Sequence, residues 1–215
     1  INEFINKVIH GNSADVLKEF PDECIDLVVT SPPYDEARFY GGHKWDMNVV
    51  YLIANKLARV IKEGGVIVWV VNDEYEKQSM SMNSFRQCIY FHDIGLKVHD
   101  IMIYEKSGWS FPSTNRYNQI FEFMFVISKG TPKTFNPIKD RKNKWQGSWG
   151  KNTKRNKVTG ELEEGKPYKY NEFGMRGNIW RYATGKGFSV RDDNDVAYEH
   201  PAIMPTQLAK DNIIS

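Results

Sequence analysis

Ser31, Pro32, Pro33 and Tyr34 stand together directly after an apolar run, Ile25-Asp26-Leu27-Val28-Val29-Thr30. A run of that kind reads as a buried strand of a parallel sheet, and ligands of open α/β sheets bind just past the carboxyl ends of such strands. Two consecutive prolines fix φ and remove two backbone donors. The carbonyls before and between them can then be held toward a ligand instead of into a ladder. Together with the Ser31 hydroxyl they form a set of fixed acceptors, and Tyr34 adds an aromatic ring. The chemistry this suits is the alignment of a ligand group that carries hydrogen-bond donors. A proline-stiffened turn after a strand is the plainer reading of the same four residues.

Other candidates carry stronger structural alternatives. Asp35, Arg38, Tyr40 and His43 follow the proline loop and could line the same pocket or sit in a solvated loop. Asp73-Glu74 closes a second apolar run, 66–71, which places carboxylates at the same sheet edge, as site groups or as a helix cap. Asn12 is equally an ordinary cap. No His/Cys/Asp cluster has metal-ligand spacing, so no metal is expected. Cys24 and Cys88 are too few for a disulfide framework and point to a reducing cytoplasm, each packing as a small hydrophobe.

These residues need a framework, and the periodicity supplies one. Residues 4–9 read as a strand, 14–20 as a short helix capped by Asn12 or Ser13, and 25–30 as the strand before the prolines. Over 47–62, Val49, Val50, Ile53, Leu57, Val60 and Ile61 recur at helical spacing, and Gly64-Gly65 ends that helix before strand 66–71. Strand, helix and strand in that order make a βαβ unit with a right-handed crossover. Helix 83–94 and strand 97–105 repeat the pattern. Strand 119–128 then follows with no helix between, so it is expected to pair antiparallel with 97–105 at the sheet edge. A last helix is expected over 207–214.

Charge divides the chain. Residues 131–191 hold 15 Lys/Arg against 5 Asp/Glu, whereas the remainder holds 14 against 22. An acidic body with one basic segment suits a protein that presents one face to a polyanion. The richest stretch is 139–157, where Arg141, Lys142, Lys144, Lys151, Lys154 and Arg155 are interleaved with Trp145 and Trp149. Arg176 and Arg181 add a second pair. No apolar run approaches the length of a membrane span, and the first residues lack the basic start and apolar core of a signal peptide.

The Ser31-Pro32-Pro33-Tyr34 stretch resembles the catalytic motif of DNA methyltransferases that modify exocyclic amino groups, cytosine N4 or adenine N6. His200-Pro201-Ala202-Ile203-Met204-Pro205-Thr206-Gln207-Leu208 resembles the segment forming one wall of the S-adenosylmethionine site in members with permuted motif order, the beta type. His10-Gly11-Asn12-Ser13-Ala14-Asp15 and Leu57-Ala58-Arg59-Val60-Ile61-Lys62-Glu63-Gly64-Gly65 match more weakly, with Asn12 standing in an acidic place. The resemblance implies an α/β, Rossmann-like methyltransferase sheet, mostly parallel with one antiparallel edge strand, plus an inserted basic target-recognition region. It divides the chain into a catalytic core at 1–130, a DNA-binding insertion at 131–195 and the start of a cofactor-binding part at 196–215. In that motif order a strand and a Phe-x-Gly-x-Gly turn should follow, so the cofactor pocket is expected to be completed by residues beyond 215 or by a partner.

The implied reaction is methyl transfer from S-adenosylmethionine to an exocyclic amine of a base flipped out of duplex DNA. Ser31, Pro32, Pro33 and Tyr34 would be catalytic. Asn12, Asp15, Thr30, Ser31, His200, Pro201, Ala202 and Pro205 would touch the cofactor, although His200 could equally order the turn before Pro201. Arg141, Lys142, Lys144, Trp145, Trp149, Lys151, Lys154, Arg155, Arg176 and Arg181 would touch DNA. An amine conjugated with a base ring is a poor nucleophile, and fixed acceptors on its N–H groups free its lone pair. A ring such as Tyr34 can stack on the extruded base, contributing about 1–3 kcal/mol, against an unstacking cost of a few kcal/mol. Methylation at cytosine C5 would need a thiol nucleophile, and neither cysteine follows a proline in a loop. Serine at position 31 leans toward cytosine N4. A homodimer or a restriction-system partner, and a cytoplasmic location, complete the expectation. The alternatives are a non-catalytic DNA-binding fragment or a subunit completed in trans, and a methyltransferase acting on RNA or protein amides.

Overall fold

In the computed structural model the described residues are 2–34, 45–108, 114–145, 147–149, 153–165, 168–183 and 203–215. The chain divides into two units, one of Ile1–Phe135 with Asn178–Ser215, the other of Asn136–Gly177.

The larger unit opens on a 3₁₀ turn at Asn2–Phe4. Helix α1, Ser13–Val16, is capped by Asn12, whose side-chain oxygen accepts from the Ala14 N–H. Strand β1, Ile25–Thr30, follows. Helix α2, Met47–Val60, starts at Asp46, whose carboxylate accepts from the N–H groups of Asn48 and Val49. Its apolar stripe of Val50, Ile53, Ala54, Leu57 and Val60 is buried. Strand β2, Ile61–Val71, begins at once, and its register against β1 shifts between Ile25 and Leu27. The extra residues bulge around Gly64, whose φ of 80° belongs to the left-handed region that favours glycine. The sequence therefore placed the end of the helix and the start of the strand a few residues late. A small hairpin, β3 at Tyr75–Glu76 and β4 at Ser79–Met80, leads into helix α3, Asn83–Asp93. Strands β5, Lys97–Lys106, and β6, Phe121–Ser128, come next.

Between these strands and the chain end lie, among the described residues, six short strands of the smaller unit. They are β7 (Arg141–Lys142), β8 (Gly147–Trp149), β9 (Thr153–Arg155), β10 (Leu162–Glu164), β11 (Tyr168–Tyr170) and β12 (Phe173–Gly174). They pair antiparallel as β9 with β10, β8 with β11 and β7 with β12. The chain returns to the larger unit with strand β13, Ile179–Tyr182, and helix α4, Thr206–Ile214. Strand β13 lies inside the span 131–195 read as an insertion, yet it belongs to the main sheet.

That sheet has the order β1-β2-β6-β5-β13. β1 and β2 are parallel, β5 and β13 are parallel, and β6 runs against both its neighbours. The α/β class and the β5–β6 hairpin follow the sequence expectation. The reversed strand does not lie at the edge: β6 sits between β2 and β5. Its burial accounts for this, because Met124, Phe125 and Ile127 are fully buried, and an edge position would leave that apolar strand half uncovered.

Side chains alternate across the strands. On one face Ile67, Trp69, Val71, Phe125 and Ile127 pack with Ile53, Leu57, Cys88 and Phe91 of α2 and α3. The Trp69 ring meets Phe91 edge-on at 5.2 Å, and its indole N–H donates to Gln87 Oε1 at 2.8 Å. On the other face α4 crosses the sheet, with Asn212 Nδ2 3.5 Å from Met124 Sδ and Tyr182 Oη donating to Asp211 Oδ2 at 2.7 Å. The result is three layers, helix on sheet on helix.

Residues 4–9 do not form the expected strand. Beyond the 3₁₀ turn they pair with no described strand, and Ile5, Val8 and Ile9 are exposed, Val8 completely. Alternating apolar residues make a strand only where a ladder accepts them. No helix among the described residues is long and apolar enough to cross a membrane.

Candidate active site

The sheet topology decides which residues meet. Thr30 ends β1 opposite Trp69, and Val71 ends β2 opposite Phe123. Because β6 is reversed, its beginning lies at the carboxyl ends of β2 and β5, with Glu122 opposite Tyr104 and Phe121 opposite Glu105. The loop after β1 and the start of β6 therefore share one edge.

On that edge Ser31 is exposed, Pro32 is buried, and Pro33 and Tyr34 are half-buried. The Ser31 hydroxyl lies 2.8 Å from the Tyr34 hydroxyl. Tyr34 Oη in turn donates to Glu122 Oε2 at 2.7 Å. Lys106, the last residue of β5, donates to Glu122 Oε1 at 3.2 Å, and the Lys106 and Glu122 side chains are 23% and 14% exposed. Beneath them Tyr104 is buried, and its phenol is pushed far above its ordinary range, first by burial and then by the Glu122 charge. The Tyr34 ring also rests partly against the core cluster on the α2 and α3 face, so its aromatic body is held as well as its hydroxyl.

Sequence reasoning did not single out Glu122 or Lys106. The signal was present. Glu122 is the one charge in the run Phe121-Glu122-Phe123-Met124-Phe125-Val126-Ile127, and a strand expected to be reversed must begin at the ligand-binding edge.

Asp73 resolves as a helix anchor. Its Oδ1 accepts from Ser84 N at 2.9 Å and Ser81 Oγ at 3.2 Å, and its Oδ2 from Ser84 Oγ at 2.7 Å. It is buried, and the three hydrogen bonds it accepts hold the start of α3. Asn72 beside it accepts from Gln119 Nε2 at 2.7 Å and donates to the Phe121 carbonyl at 3.3 Å, bracing the start of β6.

Of the residues expected to touch a cofactor, Thr30 and Ser31 lie on this edge. Asn12 caps α1, and Asp15 forms an exposed ion pair with Lys18 at 2.7 Å. Pro205 is buried at the start of α4, its carbonyl accepting from Ala209 N. His200, Pro201 and Ala202 lie outside the described residues, as do Asp35, Arg38, Tyr40 and His43. Cys88 is buried, and burial pushes its thiol up to about 11, which suits a packing residue and not a nucleophile. Among the described residues no group of three or more His, Cys, Asp or Glu could hold a metal ion.

The basic residues fall into two sets. Arg141 Nε donates to the Met175 carbonyl, Arg155 Nη1 to the Gly160 carbonyl, and Arg176 pairs with Asp140. These three guanidinium groups brace the smaller unit. Lys142, Lys144 and Lys154 are exposed on or beside its ribbons, and Trp145 is 70% exposed. Trp149 lies in β8 opposite Tyr168, Lys151 is outside the described residues, and Arg181 belongs to β13, 3.8 Å from Glu105.

Comparison with known proteins shows the family. Residues 25–215 match the family described as DNA methylase, the N6/N4 methyltransferases. The chain is 48% identical over 203 residues to the orphan methyltransferase M.BamHII of Bacillus amyloliquefaciens, covering 93% of this chain and 74% of the relative. It is 23% identical over 215 residues to the DNA adenine methyltransferase YhdJ of Escherichia coli, covering 97% and 66%. Among solved structures, the cytosine-N4-specific PvuII DNA methyltransferase superposes with a TM-score of 0.59 at 18% identity, covering 94% of this chain and 67% of that one.

Proposed function

The chain belongs to the N6/N4 DNA methylase family, which methylates exocyclic amino groups of DNA bases with S-adenosylmethionine, and from that premise we propose that Ser31 to Tyr34 hold the target amine and that the target is cytosine N4. The observation that carries the site is the exposed Ser31 hydroxyl, tied at 2.8 Å to an anchored Tyr34 at the carboxyl edge of the sheet.

When bound, S-adenosylmethionine supplies a methyl group activated by a sulfonium. Thr30 and Ser31 would offer the cofactor polar groups at the sheet edge, and Asp15, paired with Lys18, keeps a carboxylate that is 68% exposed. Asn12 has its side-chain oxygen committed to the α1 cap, which leaves its amide for a ligand. Ser31 Oγ and the Pro32 carbonyl accept the two N–H groups of the amine, which draws its lone pair out of ring conjugation and toward the methyl donor. Tyr34 forms an aromatic wall against the extruded base. Serine at position 31, where the resembling motif otherwise carries Asp or Asn, is the basis for preferring cytosine N4.

We assign duplex-DNA contact to the smaller unit through Lys142, Lys144, Lys154 and Trp145, with basic side chains on phosphates and the indole against bases. A restriction nuclease acting at the same sequence, or a second copy of the chain, is the partner proposed for it, and the cytoplasm is the location proposed.

The test is Ser31→Ala in the full-length protein. Loss of the hydroxyl acceptor should lower kcat roughly 100-fold, the scale of one fixed hydrogen bond to a reacting group, with KM for DNA little changed. Wild-type kcat would remove Ser31 from the reaction.

A further inference from the structure

We propose that Glu122 is a positioning residue for methyl transfer, acting through Tyr34 to set the direction of the Ser31 hydroxyl. The proposal rests on the assignment of Ser31 as an acceptor for the amine. It follows from counting protons along three groups. A carboxylate in an ion pair with Lys106 accepts hydrogen bonds and donates none. Tyr34 has one hydroxyl proton, and that proton goes to Glu122 Oε2 at 2.7 Å. At the Tyr34–Ser31 contact of 2.8 Å the phenol oxygen must therefore accept, so Ser31 donates. The single Ser31 proton is thus committed to Tyr34, which leaves the lone pairs of its oxygen to accept.

A serine hydroxyl in water rotates freely and offers donor and acceptor alike. A serine that presents its proton to the amine would engage the lone pair that must attack the methyl group and leave one amine N–H without its acceptor. The chain from Ser31 through Tyr34 to Glu122 removes that orientation before substrate arrives, so no reorganisation is left for the reacting state. Glu122 can do this because its strand is reversed. The start of β6 faces the loop after β1, and Lys106 on the neighbouring strand holds the other carboxylate oxygen at 3.2 Å. The side chain is 14% exposed, so water competes little for the acceptor.

Glu122→Gln tests the direction at nearly constant shape. The glutamine amide can donate to Tyr34 Oη, which lets Tyr34 donate to Ser31 and turns the serine proton toward the amine. In the full-length protein the expected result is a fall in kcat of roughly 10- to 100-fold, by analogy with the partners that orient metal-ligating side chains. Affinity for S-adenosylmethionine and DNA should stay within about twofold. Tyr34→Phe keeps the ring and breaks the same chain, so it should lose a similar factor. The double variant should lose no more than either single one, because both cut one device. Glu122→Asp, still acceptor-only, should recover part of the rate. Wild-type kcat in Glu122→Gln, or losses that multiply in the double variant, would overturn the proposal. If Glu122→Gln fails to fold, a wild-type kcat for Tyr34→Phe overturns it equally. Ser31→Ala separates the two readings: a dead Ser31→Ala beside a fully active Glu122→Gln sinks only the role of Glu122, whereas a fully active Ser31→Ala sinks the site.

Discussion

Two carboxylates stand near the carboxyl edge of the sheet and do different things. Asp73 accepts three hydrogen bonds from Ser81 and Ser84, which makes it part of the fold. Glu122 meets Tyr34 and Lys106, which places it in the hydrogen-bond chain that ends on the exposed Ser31 hydroxyl. Sequence position drew attention to the first, because it closes an apolar strand, and passed over the second, which looks like a stray charge. What separates them is the set of donors around each, and donors from distant segments cannot be read along the chain. Ser31 and Tyr34 stand out in the sequence because local chemistry marks them, a hydroxyl and a ring bracketing two prolines after a strand, and the structure joins them at 2.8 Å. Asp73→Ala should lower the unfolding free energy by about 1–3 kcal/mol, since it leaves the Ser84 N–H buried without its acceptor. Chemical denaturation reads this directly, and an unchanged midpoint would mean that α3 is held otherwise.

At the level of elements, periodicity did most of what was needed. Helices α2 and α3 and strands β1, β2, β5 and β6 lie within a few residues of their expected limits, because each buries an apolar stripe or run. Two errors have the same origin. The segment 4–9 has strand-like alternation but no described partner, and β6 has a partner on each side where one was expected. Both concern which strands neighbour one another, a property of the assembled sheet that propensity does not encode. The position of β6 has a chemical consequence. A reversed strand between β2 and β5 delivers its first residues to the edge where the other strands end, and Glu122 and Gln119 arrive there for that reason. Had β6 been a parallel strand, its first residues would have reached the opposite edge, far from Ser31.

Across the whole chain, charge segregation and fold division run together. The unit Asn136–Gly177 falls within the segment where basic residues exceed acidic ones by 15 to 5. Arginines in it are largely spent on carbonyls and Asp140, so the lysines are the better candidates for holding phosphates. Replacing Lys142, Lys144 and Lys154 by Gln should weaken duplex binding and make the slope of log K against log salt shallower by roughly 2–3, about 0.9 for each phosphate no longer neutralised. An unchanged slope from fluorescence titration at several salt concentrations would take these ribbons out of the interface. The most direct test of the central claim is nucleoside analysis of mixed-sequence duplex DNA methylated by the full-length protein from labelled S-adenosylmethionine. N4-methylcytosine is the labelled product expected of a Ser31 site that takes the cytosine amine. Label in N6-methyladenine would keep the reaction but contradict the assignment of the base, and 5-methylcytosine or no label would contradict amine methylation by this site altogether.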